Sequence, residues 1–269
     1  MGLMLKQFII KLFSFFKLSI INSEKLTKID IEGKKARHEV EKLNFIFLNE
    51  RILNPSKLYS HVEKSQSQIF QDLFVLNELN FKESGFFIEI GAADGKNLSN
   101  TYMLEKYFNW DGLIVEPARV WAEDIKKNRN CDISFDCVFR ESNLSIQFNE
   151  TEKPEFSRAS FNFEISEDSH EDLRKNNNTF YELKTISMND LFTKFKISQN
   201  IDYLSIDTEG AEYEILNSFS FDKYNISIIT VEHNFTANRE RIHSLLTSYG
   251  YQRVLKNFSK FDDWYIKNS

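Results

Sequence analysis

Acidic side chains stand within or directly after short apolar segments that are predicted to be buried strands. Glu89 interrupts the apolar run 86–90, Asp94 lies in the turn that follows it, and Glu116 ends the next run, 112–116. A buried carboxylate is costly unless a positive charge or hydrogen-bond donors pair with it. These acids therefore indicate a ligand that carries a positive charge.

A second polar group follows two later apolar runs. Asp207 and Glu209 directly follow one run, and Glu232, His233 and Asn234 end another. His233 is the candidate general base because its unperturbed pKa lies near neutrality, with a structural histidine as the alternative. Asp207 and Glu209 complete the candidate catalytic group. Asp207 could orient the histidine or hold an amino group.

The first apolar run leads into a turn of small residues. Gly91, Ala92, Ala93, Asp94 and Gly95 connect it to a segment with apolar residues at helical spacing. A strand, a glycine turn and a helix bring a ligand close to the backbone and to a helix N-terminus. The turn lacks the third and sixth positions of the dinucleotide fingerprint, and no Gly-Lys-Ser/Thr of a phosphate loop follows. The pattern favours a nucleotide-like ligand without a cradled pyrophosphate.

Four motifs in this order resemble the FkbM family of S-adenosylmethionine-dependent methyltransferases. The resemblance covers about residues 65–267, and its motifs are SQIFQDLFV (67–75), FFIEIGAADGKNLSNT (86–101), YLSIDTEGAEYEIL (203–216) and ITVEHN (229–234). S-adenosylmethionine carries a sulfonium, an α-amino group and a ribose diol. Carboxylates suit all three groups, which agrees with the acids described above.

The resemblance implies a set of cofactor-binding residues. Glu116 lies about 20 residues after the turn, where this architecture places an acid against the ribose hydroxyls. Asp136 and Cys137 fall where such enzymes contact the adenine. The implied set is Gln71, Asp72, Glu89, Gly91, Ala92, Asp94, Gly95, Asn100, Glu116, Pro117, Asp136, Cys137 and Asp207. For Glu89 and Glu116 the alternative is a structural role as paired acids.

Apolar runs and helical patterns alternate along most of the chain. Strands are predicted at 86–90, 112–116, 133–139, 144–148, 203–206, 227–231, 251–254 and 264–266, and helices at 68–79, 98–108, 119–127, 211–216 and 238–249. Such alternation predicts a doubly wound, mostly parallel sheet. The link 257–262 is too short for a helical crossover, so the last strand should be antiparallel. The predicted class is α/β, a Rossmann-like class I methyltransferase with a seven-stranded sheet and an N-terminal helical extension.

The segment 150–184 is polar and interrupts this alternation. Loops of this length inside a compact domain are usually functional or disordered. We predict a substrate lid, with an acidic disordered insert as the alternative. Arg158 could grip an anionic substrate. The candidate substrate contacts are Phe156, Ser157, Arg158, Phe161 and Asn234.

Residues 1–64 are predicted to be a helical extension of a methyltransferase-like domain at 65–269. The stretch 1–21 is apolar but carries Lys6, Lys11 and Lys17, so it does not match a membrane span. It fits an amphipathic helix that contacts a membrane surface, the alternative being a helix docked on its own domain or in a dimer. The lysine- and glutamate-rich stretch 23–64 predicts a solvated helical arm.

Composition restricts the expected binding partners and the expected cellular compartment. A length of 269 residues fits one domain plus an extension, and a net charge of -6 gives no general attraction to nucleic acid. Cys131 and Cys137 are predicted on one strand in an arrangement that does not favour a disulfide, so reduced cysteines are expected. The expected location is the cytoplasm, in solution or on the inner face of the membrane.

The resemblance implies an O-methyltransferase that uses S-adenosylmethionine and acts on a hydroxyl group. The expected acceptor is a sugar in bacterial capsule or surface-polysaccharide biosynthesis, or a natural-product small molecule. A non-catalytic, methyltransferase-like binding or trafficking protein is the competing hypothesis. Methylation of nitrogen or carbon is a third, and it would need no strong base. Asp207, Glu232 and Asn234 are also similar to the acids and amide that hold magnesium in catechol-type methyltransferases, although His233 interrupts the pattern, so a divalent metal is left open.

Overall fold

The computed structural model describes residues 23–160 and 178–268, and the chain divides into two compact units, Met1–Ile52 and Leu53–Ser269. Within the first unit, helix α1 covers Ser23–Phe47. The predicted amphipathic helix at 1–21 and the candidate contact Phe161 lie outside the described residues. Across the described ranges, no helix combines the length and the hydrophobicity that crossing a bilayer requires.

The second unit starts before the predicted domain boundary at residue 65. Helix α2 (Pro55–Tyr59) begins at a proline, and the Asn54 side chain caps it by accepting the Lys57 backbone N–H at 3.0 Å. Leu58 is fully buried, and the His61 ring packs on Phe108 with centroids 5.0 Å apart. These contacts attach the segment to the second unit.

Seven strands form the main sheet. Their bounds are β1 Phe86–Ile90, β2 Asp111–Val115, β3 Asp132–Ser134, β8 Asn200–Ile206, β9 Asn225–Glu232, β10 Tyr251–Val254 and β11 Asp262–Lys267. The strand order is β10-β11-β9-β8-β1-β2-β3. Strand β11 pairs antiparallel with both β9 and β10, whereas the remaining neighbours pair in parallel. The predicted seven-stranded sheet with a reversed last strand is confirmed.

Helices connect these strands. Five lie close to predicted positions, and the one at Met188–Lys194 has no counterpart among the predicted helices. They are α3 Gln71–Glu78, α4 Tyr102–Phe108, α5 Ala122–Asn128, α6 Met188–Lys194, α7 Glu212–Asn217 and α8 Asn238–Ser248. Helix α4 starts later than the predicted residue 98. Leu98 has φ 62°, which is not helical, and the Ser99 hydroxyl oxygen accepts the Tyr102 backbone N–H at 3.1 Å. Residues 98–101 therefore form part of the turn before the helix.

A second sheet of four strands corrects two predictions. Its strands are β4 Cys137–Phe139, β5 Ser145–Glu150, β6 Arg158–Ser160 and β7 Thr179–Ser187, in the order β4-β7-β5-β6. The predicted strand 133–139 divides between the two sheets, with Cys137 in β4. The described parts of the predicted loop 150–184 contain β6 and much of β7, because β7 pairs along the full length of β5.

Parallel strands bring their carboxyl ends to one edge of the main sheet. Ile88, Leu204 and Ile229, on three adjacent strands, are fully buried in the core beneath that edge. β1 lies between β2 and β8, so connections leave it in opposite directions at this point. Open α/β sheets bind their ligands at such a switch point.

Candidate active site

A cavity of about 390 Å³ lies at this edge of the sheet. Small-molecule sites are typically ~300–1,000 Å³. A smaller cavity of about 50 Å³ adjoins it, and both are lined by Gly91, Glu116, Ser157 and Asp207. The two cavities together form one elongated site across the ends of β1, β2 and β8.

Most of the predicted site residues line this site. The larger cavity contains Gln71, Gly91, Ala92, Asn100, Glu116, Phe156, Ser157, Asp207, Glu209, Glu232 and Asn234. The smaller one is lined by Pro117, Asp136, Cys137 and Arg158, besides the shared residues. The remaining predicted residues do not line either cavity: Asp72, Glu89, Asp94, Gly95 and His233.

Gly91 allows the β1 turn to approach the end of β8. Its φ is +85°, and a Cβ atom built on it would lie 1.7 Å from the Asp207 carbonyl oxygen. On either side of this contact, the Gly91 N–H donates to Val115 and the Asp207 N–H donates to Ile90, both at 2.9 Å. No larger residue fits here without displacing the backbone that carries Asp207.

We expect Gly91→Ala to lower the free energy of unfolding more than Gly250→Ala does. Gly250 has nearly the same φ, +83°, but its Cβ would meet no atom within 4 Å. The left-handed conformation alone should cost the control variant ~1–2 kcal/mol. Urea denaturation of both variants measures the difference, and equal losses would show that the contact with Asp207 is unimportant.

Glu116 is the acid at the junction of the two cavities. Its carboxylate accepts the backbone N–H groups of Ala93 at 3.0 Å and Ala118 at 2.8 Å, which fixes its position. Burial raises the pKa of Glu116 to about 7, although these hydrogen bonds oppose the shift. This side chain suits ligand hydroxyl groups, which would donate to its remaining lone pairs.

Asn100 lines the larger cavity, and its side chain carries a buried, unsatisfied acceptor. Its amide nitrogen donates to the Ser205 hydroxyl at 2.9 Å, and a chain of contacts continues through Thr230 to the hydroxyl of Tyr203. The Asn100 Oδ1 atom is buried and has no hydrogen-bond partner among the described residues. Because a lone buried acceptor is costly, a donor on the ligand is expected here.

Three carboxylates converge on the cavity from the ends of β8 and β9. Oxygens of Asp207, Glu209 and Glu232 lie within 4.8 Å of one another. Burial raises the pKa of Asp207 and of Glu232 far above their ordinary values, and repulsion within the cluster adds to it. Because like charges this close repel each other, the cluster is suited to share a proton or to bind a cation.

Glu209 reaches this cluster through a strained backbone. Its φ is 58°, in the left-handed region that costs energy for a residue with a side chain. Asn234, the third residue of the predicted metal set, lines the same cavity. The three carboxylates are the groups that the described structure offers to a divalent cation.

His233 does not have the geometry of a general base. Its Nδ1 accepts the Phe235 backbone N–H at 2.9 Å, and its Nε2 lies 3.0 Å from the Asp262 carbonyl oxygen. These partners require the neutral imidazole with its proton on Nε2. Burial also lowers the pKa of His233. The lone pair that would accept a proton is already occupied, so the structural alternative applies.

Glu89 is a structural acid and does not contact the ligand site. Its carboxylate accepts hydrogen bonds from the Ser99 and Thr101 hydroxyls and from the Asn100 backbone N–H. The buried Arg129 guanidinium lies 3.5 Å away. The charge that the sequence assigned to a cationic ligand is therefore balanced by an arginine of the protein. Glu89 supports the turn that carries Asn100.

Asp72, Asp94 and Gly95 also have structural roles. The Asp72 carboxylate is fully buried and accepts the hydroxyls of Ser65 and Ser67 before helix α3. Asp94 accepts the backbone N–H groups of Lys96 and Asn97 within its own turn. Gly95 has φ +76°, and its carbonyl oxygen accepts a hydrogen bond from Arg129.

Aromatic residues that sequence reasoning missed line the larger cavity. They are Trp121, Phe235 and Phe261. Phe235 directly follows the predicted Asn234, so its position in the motif was a usable signal. Phe261 lies in the short link before β11 and reaches the site only because β11 inserts beside β9. No spacing rule indicates such a contact.

The chain belongs to the FkbM methyltransferase family. Residues 89–253 match the family model described as the methyltransferase FkbM domain, which confirms the resemblance given by the motifs. No curated protein sequence matches the chain.

Solved structures of methyltransferases are similar to this chain at low identity. The methyltransferase FkbM from Methylobacillus flagellatus KT is 9% identical over 78% of this chain, with a TM-score of 0.42, and the chain spans 60% of that protein. The precorrin-6y C5,15-methyltransferase from Geobacter metallireducens GS-15 is 13% identical over 73% of this chain and 88% of that one, with a TM-score of 0.38. A TehB-like SAM-dependent methyltransferase from Corynebacterium glutamicum ATCC 13032 Kitasato is 8% identical to this chain. The match covers 80% of this chain and 100% of that one, with a TM-score of 0.36. These scores carry no argument about activity.

Proposed function

We propose that this protein is an S-adenosylmethionine-dependent O-methyltransferase that acts on a sugar hydroxyl in bacterial capsule or surface-polysaccharide biosynthesis. Family membership supports methyl transfer, and the family resemblance supports the sugar acceptor. The observation that carries the proposal is that Glu116, Asn100 and the carboxylate cluster line one site at the switch point.

The side chains present fit the cofactor. Glu116 would hold the ribose hydroxyls, and Asn100 Oδ1 would accept a hydrogen from the α-ammonium group. The smaller cavity, lined by Pro117 and Cys137, would hold the adenine. When bound, S-adenosylmethionine supplies a methyl group on a sulfonium, which is a good leaving group. The protein then has to align the acceptor, exclude water and remove one proton.

The Asp207–Glu232 pair is the general base in this proposal. When the acceptor hydroxyl is methylated, a carboxylate of the pair would take its proton. A raised pKa suits this role, because a carboxylate with an ordinary pKa is a weak base at neutral pH. His233 is left out because both of its ring nitrogens are engaged.

A divalent cation is the alternative way to neutralise the cluster. The distances among Asp207, Glu209 and Glu232 are compatible with shared coordination. Bound there, a cation would lower the pKa of the acceptor hydroxyl. Titration with S-adenosylhomocysteine after EDTA treatment, with and without added Mg²⁺, separates the two cases. An affinity that changes with Mg²⁺ would assign the cluster to a metal.

We expect Glu232→Gln to reduce methyl transfer by ~100-fold or more, the usual effect of removing a general base. The assay follows transfer from tritiated S-adenosylmethionine to methyl glycosides of glucose, galactose, mannose and rhamnose. Calorimetry should show S-adenosylhomocysteine affinity within tenfold of wild type, about 1.4 kcal/mol. Glu240→Gln, an exposed carboxylate on α8, is the control. Folded wild-type protein that binds no S-adenosylhomocysteine would exclude the enzyme hypothesis and favour a binding protein.

A further inference from the structure

The turn after β9 places an aromatic residue in an unfavourable backbone conformation. The Thr236 N–H donates to the His233 carbonyl oxygen at 2.8 Å, which closes a four-residue turn. Both central residues have positive φ, 43° for Asn234 and 58° for Phe235. Turns with this pair of signs favour Asn at the first position and Gly at the second. Asparagine occupies the first position here, but phenylalanine occupies the second.

The same turn holds the phenylalanine side chain out toward solvent. Phe235 is 71% exposed, yet it lines the larger cavity next to the carboxylate cluster. An exposed aromatic ring gains little from burial, so packing does not compensate for the strain of its backbone. Backbone strain that no packing interaction offsets is often found at functional sites.

His233 is the residue that holds this conformation. Its Nδ1 accepts the Phe235 N–H, and its ring meets the Phe235 ring edge-on, with centroids 5.3 Å apart and planes at 73°. Its Nε2 is anchored to the Asp262 carbonyl oxygen at the start of β11. The histidine thus connects the phenylalanine to the sheet and restricts where its ring can lie.

We propose that Phe235 is the platform on which the acceptor ring stacks, and that His233 is the residue that positions it. The site then offers two complementary surfaces. The carboxylates of Asp207, Glu209 and Glu232 accept hydroxyl hydrogens, and the aromatic ring covers an apolar face. A pyranose ring has both features, since its hydroxyls project around a face of C–H groups. This inference rests on the proposed methyl transfer to a sugar and identifies a residue that selects its acceptor.

The test compares Phe235→Gly, Phe235→Trp and Lys196→Gly. Lys196 is an exposed residue with φ 53° outside the site, so its variant releases similar strain without touching the cavity. Each protein is saturated with S-adenosylhomocysteine, and saturation-transfer NMR records the methyl glycosides of glucose, galactose, mannose and rhamnose. Thermal unfolding and calorimetry with S-adenosylhomocysteine are measured in parallel.

We expect Phe235→Gly to unfold at the same or a higher temperature than wild type, because glycine accepts the positive φ without strain. Its affinity for S-adenosylhomocysteine should stay within twofold of wild type. Its glycoside signals should fall at least tenfold, and those of Phe235→Trp and Lys196→Gly should remain. Two outcomes would contradict the proposed stacking on Phe235 but not the proposed methyl transfer. One is unchanged glycoside signals in Phe235→Gly. The other is wild type that binds S-adenosylhomocysteine but gives no signal from any glycoside. Wild type that binds no S-adenosylhomocysteine would remove the proposed function as well.

Discussion

Replacing Glu116 by alanine should lower the affinity for S-adenosylhomocysteine by about 100-fold or more. Hydrogen bonds to a charged group contribute ~1.5–3 kcal/mol each, and two ribose hydroxyls would donate to this carboxylate. Glu116 is buried at the junction of the two cavities and is held by backbone N–H groups of Ala93 and Ala118. Isothermal titration calorimetry at pH 8 measures the loss.

The same site predicts a pH dependence with a definite sign. Burial raises the pKa of Glu116 to about 7, so in the free protein the carboxyl is increasingly protonated below that pH. A protonated carboxyl accepts fewer hydrogens from the ribose, and affinity should therefore rise between about pH 6 and pH 8. Glu116→Gln is the matched control, because it keeps the shape without a titrating group. An equal pH dependence in that variant would contradict the assignment.

Removal of Arg129 should produce the largest loss of stability. Its side chain is buried between Glu89 and Glu105, and it also donates to the Gly95 carbonyl and the Thr101 hydroxyl. Taking one partner from a buried ion pair costs ~3–5 kcal/mol, because the other charge stays uncompensated. In a unit of this size each kcal/mol lowers the melting temperature by ~2–4 °C. Arg129→Met should therefore melt about 6–20 °C lower by calorimetry.

Two further variants make this prediction specific. Lys126→Met removes a cation from the exposed pair with Glu123, where solvent screening leaves little or no loss of stability. The double variant Glu89→Gln, Arg129→Met should be less destabilised than the sum of the single changes, since Glu89 no longer leaves an uncompensated charge. An Arg129→Met protein as stable as Lys126→Met would mean that Glu89 is not balanced by the arginine.

Glu89 shows where sequence reasoning goes wrong. A carboxylate in an apolar strand correctly indicated that a positive charge must be near. The partner was assigned to a ligand because Arg129 is 40 positions away along the chain, and it comes close only when α5 packs against the turn after β1. The prediction that His233 is a general base is wrong for a similar reason. Its two ring nitrogens are hydrogen-bonded to the backbone of Phe235 and of Asp262, and Asp262 is distant in sequence.

Local patterns determined most elements of the main sheet, the family and the end of the sheet where the site lies. Alternating apolar runs specify buried strands, and a short link specifies a reversed strand, because both follow from backbone geometry over a few residues. Glu116, Asp207 and Glu232 were therefore placed correctly as strand-end acids. Only the tertiary structure decided which side chains remain available to a ligand. That outcome depends on partners distant in sequence, such as Arg129 for Glu89, and on the left-handed turn that leaves Phe235 exposed where it lines the cavity.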